Sequence, residues 1–291
     1  MGSYLRPTDL GDALRALGAP GPRAILAGGT DFYPARVGRT IDEDILDITA
    51  LPLRGIEEHA DHWRIGALAT WSELIAAPLP PCFDALKAAA REVGGAQIQN
   101  AGTIAGNLCN ASPAADGVPP LLAMDAAVEL ASAGGERRVP LAEFVTGNRR
   151  TARRADELVT AIRVPKPAPG TESAFLKLGA RRYLVISIVM VAATIEPDER
   201  NQIARARIAV GACAAAAQRL RALESALNGL PIDSRLATVV CNEHLAQALA
   251  PIDDVRGSAA YRNDAALTLV RRALAELGAK MDGAPNPKGS R

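Results

Sequence analysis

Aromatic residues are scarce in this chain, with Phe, Trp and Tyr together making 3% of its 291 residues. Histidine occurs three times and cysteine four times. Cys82, Cys109, Cys213 and Cys241 are widely scattered and form no C-x-x-C pair. Without a signal peptide, buried free thiols are expected rather than disulfides, and the spacing denies the chain an iron–sulfur cluster of its own. His59, His62 and His244 make no metal-ligand set; His59 and His62 fall in a polar turn and read as surface residues. An excess of either charge is also missing, since 33 Lys and Arg face 32 Asp and Glu for a net +1. The densest basic patch, Arg149-Arg150 with Arg153-Arg154, reads as a solvated surface, so no nucleic-acid partner is expected. No apolar run approaches the length of a membrane-crossing helix, and residues 1–7 carry no apolar secretory core. A cytoplasmic protein without a membrane span is expected.

Glycine and proline are plentiful, 25 and 20 residues, and they punctuate the chain. A short helix at 10–17, a strand at 24–27, a helix from about 32 and a strand at 44–48 make a small β-α-β unit. Thr70-Trp-Ser-Glu73 has the form of a capping box, so a helix starts at Trp71. Another helix runs over 83–93 to Gly94-Gly95, and a short one over 119–124. Strands at 127–131 and 137–139 pair around Gly134-Gly135, and a last strand covers 158–164. The stretch Pro165-Lys-Pro-Ala-Pro-Gly170 is the best domain boundary. Beyond it, strands at 174–178, 186–194 and 203–210 alternate with Ala-rich helices at about 214–227, 234–249 and 263–278. The fold class is α+β, and the Gly-, Pro- and Lys-rich residues 282–291 read as a disordered tail.

Two segments carry chemistry. The first is the strand-and-turn Ile25-Leu-Ala-Gly-Gly-Thr-Asp-Phe32. A strand running into Gly28-Gly29 and a hydroxyl, with a helix start behind it, aims free backbone N–H groups at an anion. Thr30 or Asp31 is a candidate N-cap, and Pro34 suits a first turn. The spacing is that of neither a Rossmann fingerprint nor a Walker loop. The second is a loop, Gly102-Thr-Ile-Ala-Gly-Asn-Leu-Cys-Asn-Ala-Ser-Pro-Ala-Ala-Asp116, with no Lys, Arg or His. Gly102, Ala105 and Gly106 leave its backbone bare, and Thr103, Asn107, Asn110 and Ser112 offer hydrogen bonds to phosphate or sugar oxygens. Asp116 ends it with a carboxylate suited to hydroxyls. Taken singly, the first segment also reads as a plain strand-to-helix corner and the second as an ordinary loop. No Ser/His/Asp set, carboxylate pair or nucleophilic Cys emerges, so no catalytic residue and no metal ligand is assigned.

Together, Ala27-Gly-Gly-Thr-Asp31 and Gln97-Ile-Gln-Asn-Ala-Gly-Thr-Ile-Ala-Gly-Asn-Leu-Cys-Asn-Ala-Ser-Pro-Ala-Ala-Asp116 resemble the FAD-binding (medium) subunits of the molybdenum hydroxylases. This is the flavoprotein family of xanthine dehydrogenase and carbon monoxide dehydrogenase. Tyr4-Leu-Arg-Pro-Thr-Asp-Leu10, Asp47-Ile-Thr49, Ile65-Gly-Ala-Leu-Ala-Thr70 and Ala174-Phe-Leu-Lys-Leu-Gly-Ala-Arg181 follow in the family's order, so the resemblance covers nearly the whole chain. One departure is Gln99, where many relatives carry Arg.

The resemblance implies a PCMH-type FAD-binding domain over residues 1–166, with subdomains at about 1–55 and 56–166. A small CO dehydrogenase flavoprotein C-terminal-like domain follows over 171–281, with a three-stranded antiparallel sheet and helices. It implies FAD lined on one side by Ile25, Leu26, Ala27, Gly28, Gly29, Thr30, Asp31 and Phe32. Thr103, Ile104, Ala105, Gly106 and Asn107 approach from the other side. Asp116 binds hydroxyls, and Val93 and Val159 make apolar contacts. Lys177 lies near the flavin, where a positive charge favours the anionic reduced form, and Tyr183 stacks on or shields the ring. The implied function is electron transfer from a partner [2Fe–2S] subunit, fed by a molybdopterin-binding large subunit, to an acceptor such as NAD, a quinone or oxygen. Two other readings stay open: a stand-alone FAD-dependent oxidoreductase, and a flavin-free docking subunit. Valine at Gly28 or Gly106 is expected to abolish flavin binding in a chain that still folds.

Overall fold

The computed structural model describes residues 2–38 and 40–282. The tail expected from 282 therefore lies, from 283 onward, outside the described residues. Two compact units emerge, each drawn from separated stretches of sequence. The first takes the chain up to Ala77, then Gly94–Ala111 and Ala126–Pro165; the second takes Pro78–Val93, Ser112–Asp125 and the chain from Lys166.

In the first unit, Arg23–Leu26 lies parallel to Asp44–Asp47, with Tyr4–Leu5 parallel on the other side of Asp44–Asp47. The connection between the two longer strands is not the expected α-helix. It is a turn followed by a single 3-10 turn, Pro34–Arg36, with proline at its start. The segment has no apolar stripe to bury, Val37 being 81% exposed, so nothing repays a longer helix. A five-stranded antiparallel sheet runs Ile56–Glu58, His62–Gly66, Leu158–Pro165, Ala127–Ser132, Gly135–Pro140. Trp71, Leu74, Ile65, Leu130 and Phe144 are fully buried in this unit. The capping box forms as expected: the Glu73 N–H donates to the Thr70 hydroxyl at 3.2 Å, and the Thr70 N–H donates to the Glu73 carboxylate at 2.7 Å. His62 is no surface residue. It opens the strand His62–Gly66, is buried, and stacks on His59 with ring centroids 4.5 Å apart.

The second unit is built on an antiparallel sheet ordered Glu172–Leu178, Val189–Pro197, Ile203–Gly211, Gln218–Arg219. Its central strand is apolar at nearly every position because both faces are covered. Val189, Val191, Ala193 and Ile195 enter one core with Leu269, Val270, Ala273 and Leu277 of the long helix Ala259–Met281. The alternate residues Met190 and Ala192 enter another with Phe175, and with Ala85, Ala89 and Ala123. Those alanines belong to the helices Asp84–Glu92 and Val118–Ala123, which explains why two pieces of the first half of the sequence join this unit.

The fourth strand and the broken helices are departures from the sequence reading. Gln218–Arg219 pairs with Val210 and Ala209, and only Arg221–Leu227 is helical in the Ala-rich 214–227 stretch. Arg219 holds Asp125 at 2.7 Å and Glu224 at 2.5 Å, and Arg207 shares Asp125 at 2.5 Å. These paired charges override the local alanine preference. The expected 234–249 helix likewise splits into a 3-10 stretch, Ser234–Val239, and the short Asn242–Ala246. Burial pushes the thiols of Cys82 and Cys213 up to about 11, which makes them inert packing groups.

Candidate functional site

The first segment ends its strand at Leu26, which is buried and accepts a hydrogen bond from the Ile48 N–H at 2.9 Å. The chain then turns at Gly29, whose φ of +74° suits glycine. The Gly29 carbonyl accepts from the Tyr33 N–H at 3.2 Å and the Asp31 carbonyl from the Ala35 N–H at 3.1 Å. The N–H groups of Gly28, Gly29 and Thr30 have no intramolecular acceptor, and all three residues are partly exposed. Neither Thr30 nor Asp31 caps a helix, because the N-cap position is Tyr33 and no side chain bonds there. Asp31 is exposed, and Phe32 is covered by the Arg36 guanidinium 3.8 Å above its ring. Ile25 sits in the strand itself and Ala27 at the corner after it.

The second segment is not a continuous loop. Ile104–Asn110 is a helix, N-capped by Thr103, whose hydroxyl accepts from the Gly106 N–H at 2.9 Å. Thr103 is buried, so its hydroxyl serves the helix rather than standing free for a ligand. Ile104 and Leu108 point into the core, which supplies the helical stripe that Gly106, Asn107 and Asn110 disguise. Two backbone bonds fix the entry: the Ile104 N–H donates to the Ala69 carbonyl at 3.1 Å, and the Trp71 N–H to the Gly102 carbonyl at 3.3 Å. Ala105 is buried and its N–H has no intramolecular acceptor; the Asn107 N–H donates to the Thr103 carbonyl at 3.1 Å. At the far end Ala111 turns left-handed with φ +46°, and Arg149 donates to the Asn110 side-chain oxygen. The Ser112 hydroxyl accepts from the Ala114 N–H at 3.2 Å.

The two segments meet. A β-carbon on Gly28 would lie 2.0 Å from the Ala101 carbonyl oxygen and 2.9 Å from the Gly102 α-carbon. One on Gly102 would stand 3.3 Å from the Thr30 hydroxyl. Gly28, Thr30 and Gly102 are thus brought together in the first unit, with Thr103 next in line. What results is a row of free amides at Gly28, Gly29 and Thr30 beside Gly102, with the exposed Asp31 carboxylate next in the chain and no lysine or arginine in either segment. Such a cradle fits an anionic diphosphate, which neutral backbone donors bind without a fixed counter-charge. Val159 is buried at a bulge in the strand Leu158–Pro165 and packs in the core of the same unit.

The remaining sequence-derived residues lie in the second unit. Asp116 and Lys177 find each other, Nζ to Oδ2 at 2.8 Å, and both side chains are buried. Lys177 also donates to the Glu92 carbonyl at 3.3 Å. Ser187, which sequence reasoning passed over, donates from its hydroxyl to the other Asp116 oxygen at 2.6 Å. Only its place in the apolar stretch after Tyr183 marked it out, and that pattern reads as strand. Burial pushes the Asp116 pKa up, against the opposing pull of the Lys177 ammonium and the two hydrogen bonds. Val93 caps the helix Asp84–Glu92, its N–H donating to the Ala90 carbonyl at 3.3 Å. Tyr183 is 64% exposed, with the Arg182 guanidinium 5.4 Å from its ring centre.

Residues 1–167 match the family model of the FAD binding domain in molybdopterin dehydrogenase. The chain belongs to that family. Residues 174–277 match the CO dehydrogenase flavoprotein C-terminal domain. The putative xanthine dehydrogenase FAD-binding subunit XdhB of Escherichia coli (strain K12) is 33% identical over 97% of this chain and 97% of its own length. The carbon monoxide dehydrogenase medium chain of Hydrogenophaga pseudoflava is 31% identical, covering 93% of this chain and 95% of its own. Among solved structures, a carbon monoxide dehydrogenase from Hydrogenophaga pseudoflava superposes with a TM-score of 0.85 at 29% identity, covering 95% of this chain and 96% of that one. The α+β architecture, the xanthine and carbon monoxide dehydrogenase flavoprotein family and FAD as cofactor follow for this medium-type, oxidoreductase subunit. Among the described residues no helix is long and apolar enough to cross a membrane, and no group of three His, Cys, Asp or Glu side chains is placed to hold a metal.

Proposed function

We propose that this chain is the electron-transferring subunit of a molybdenum hydroxylase complex. It takes electrons from a [2Fe–2S] small subunit, itself fed by a molybdopterin-binding large subunit, and passes them to a soluble or quinone acceptor. The observation that carries the reading is the row of unpaired amides at Gly28, Gly29 and Thr30, packed against the Gly102–Thr103 entry to a helix. FAD, when bound, would supply the redox chemistry, which no side chain of this chain provides. The Gly28–Thr30 amides hold the diphosphate, and Gly29 keeps the turn that aims them. Ala105 offers one further free amide, while Thr103 keeps the helix entry in register. Asp116 is the acceptor for cofactor hydroxyls, since a carboxylate bonded once at each oxygen still has lone pairs left. Lys177, held by Asp116, supplies the positive charge that favours a reduced, anionic flavin. From this second set, Val93 is the apolar contact and Tyr183 stacks on or shields the ring.

The partner assignment leans on the relatives, which are named as the medium subunit of a nicotine 6-hydroxylase and the medium chain of a carbon monoxide dehydrogenase. Native affinity purification from the source cell tests it. Both partners should co-elute with molybdenum and iron in the eluate, and the isolated chain should show only slow activity with artificial donors. Robust turnover of an organic substrate by the isolated, metal-free chain would favour a stand-alone flavoenzyme instead.

A further inference from the structure

We infer that Ser187 is a positioning residue for the cofactor, acting through Asp116. The inference rests on the reading of Asp116 as an acceptor for cofactor hydroxyls. Asp116 has two oxygens and two buried donors. Lys177 takes Oδ2 at 2.8 Å and the Ser187 hydroxyl takes Oδ1 at 2.6 Å. Ser187 is 1% exposed, so water cannot replace its hydroxyl once it is removed. Lys177 alone fixes the carboxylate at one corner and leaves rotation about the Cβ–Cγ bond open. The Ser187 bond closes that rotation and sets the plane in which the remaining lone pairs point. Orientation of an acceptor decides how much of its hydrogen-bonding strength a ligand hydroxyl can use.

The charges around this carboxylate come from each element that faces it. Lys177 reaches it from the strand Glu172–Leu178 and favours the ionised form, while Glu92, at the end of the helix Asp84–Glu92, opposes it. Burial also opposes ionisation, and the Ser187 hydroxyl counters it by stabilising the charged carboxylate. Ser187 therefore has two effects on Asp116. It aims the carboxylate, and it keeps it an acceptor rather than a neutral acid. A serine placed merely to fill space would do neither.

The test compares full-length Ser187→Ala, Ser187→Thr, Asp116→Ala and the Ser187→Ala/Asp116→Ala double variant. Each is stripped of flavin, checked for its thermal transition, and titrated with FAD by flavin fluorescence at several pH values. Ser187→Ala should raise the FAD Kd by about five- to thirty-fold, the usual consequence of one lost buried hydrogen bond to a charged group. Its affinity should also fail at a higher pH than that of the unaltered chain as pH is lowered, because Asp116 protonates more readily. Ser187→Thr, which keeps the hydroxyl, should restore both. In the Asp116→Ala background Ser187→Ala should add no further loss, since its effect runs through the missing carboxylate. Additive losses in the double variant, or an unchanged Kd in Ser187→Ala beside a raised one in Asp116→Ala, would overturn the inference and leave the Asp116 reading standing. An unchanged Kd in Asp116→Ala would overturn that reading, and this inference with it. If Asp116→Ala does not fold, the Ala-against-Thr comparison at Ser187 decides alone: equal Kd values and pH profiles overturn the inference.

Discussion

Gly28→Ala should cost the chain both its cofactor and much of its stability. The added carbon would fall 2.0 Å from the Ala101 carbonyl oxygen and 2.7 Å from the Ala101 carbonyl carbon. Real contacts of that kind need more than a further ångström, and both sides are backbone. Rotating a side chain therefore cannot relieve the clash. Either the end of the Arg23–Leu26 strand or the Gly102–Thr103 corner must shift. The strand is pinned through Leu26 to the Ile48 N–H, and the corner through Trp71 and Ala69. Overpacking a rigid site costs about 1–3 kcal/mol and sometimes more, and this site lies at the stiff end of that range. Urea unfolding of the variant measures it, with Gly18→Ala as a control. Gly18 closes the helix Leu10–Gly18 with nothing within 4 Å of a β-carbon, so that change should be neutral or stabilise by up to about 1 kcal/mol. A Gly28→Ala chain with full stability and full flavin content would show that the two segments are not packed as described.

The same geometry revises what the sequence suggests about Gly28. The bare backbone reads as room for a ligand, so substitution should spare the fold. The structure uses the bareness internally, to let one glycine-rich segment rest on the other. A valine there should fail as a folded protein as well as a flavin binder. Gly106 differs, because its β-carbon would press on the Thr103 side chain, with the hydroxyl at 2.7 Å, a group that can rotate away at the cost of the cap.

Lys177→Met should be the most destabilising change outside the core. It leaves Asp116 buried with its principal counter-charge gone, and breaking a buried pair from one side costs about 3–5 kcal/mol. The pH dependence has a definite sign. Burial already raises the folded-state pKa of Asp116, and removing Lys177 raises it further. The loss should be greatest at neutral to alkaline pH and shrink as pH falls through that raised pKa, where the carboxyl takes up a proton. Adding Asp116→Asn to Lys177→Met should recover most of the stability, because the unpaired charge is gone while Ser187 keeps an acceptor. Flavin affinity should not recover. A double variant as unstable as Lys177→Met would show that the lysine's packing, not its charge, matters. If instead Lys177→Met costs nothing, the pair is not buried as described.

Such a pair adds little net stability, since burial outweighs the Lys177 attraction at Asp116. Its retention makes sense as equipment for a ligand. The sequence made both residues candidates through family resemblance, yet nothing in the residues themselves indicated that they pair. They are 61 positions apart and come from opposite sides of the Pro165–Gly170 boundary.

Local signals fared better wherever local physics decides. The Thr70 capping box, the Ala127–Ser132 and Gly135–Pro140 hairpin and the strand before Gly28 depend on neighbours in sequence, and each formed as read. The helix Ile104–Asn110 escaped notice because Gly106 and two asparagines lower its propensity. Its stability comes from Ile104 and Leu108 in the core and from the Ala69 and Trp71 bonds. The strand Gln218–Arg219 was hidden for a related reason, since Asp125 and Glu224 hold an arginine that alanine-rich surroundings would have put in a helix. Ser187 is the extreme case: its role depends on one oxygen of a residue 71 positions away.

In the proposed function, neutral backbone amides at Gly28–Thr30 hold an FAD. Acid precipitation of the purified full-length chain, followed by the absorbance spectrum and mass of the released flavin, tests it most directly. The protein should be yellow and surrender FAD to the supernatant at about one per chain, because the bonds that hold it are hydrogen bonds lost with the fold. A colourless chain that takes up no FAD when reconstituted, or flavin that stays covalently in the pellet, would contradict it.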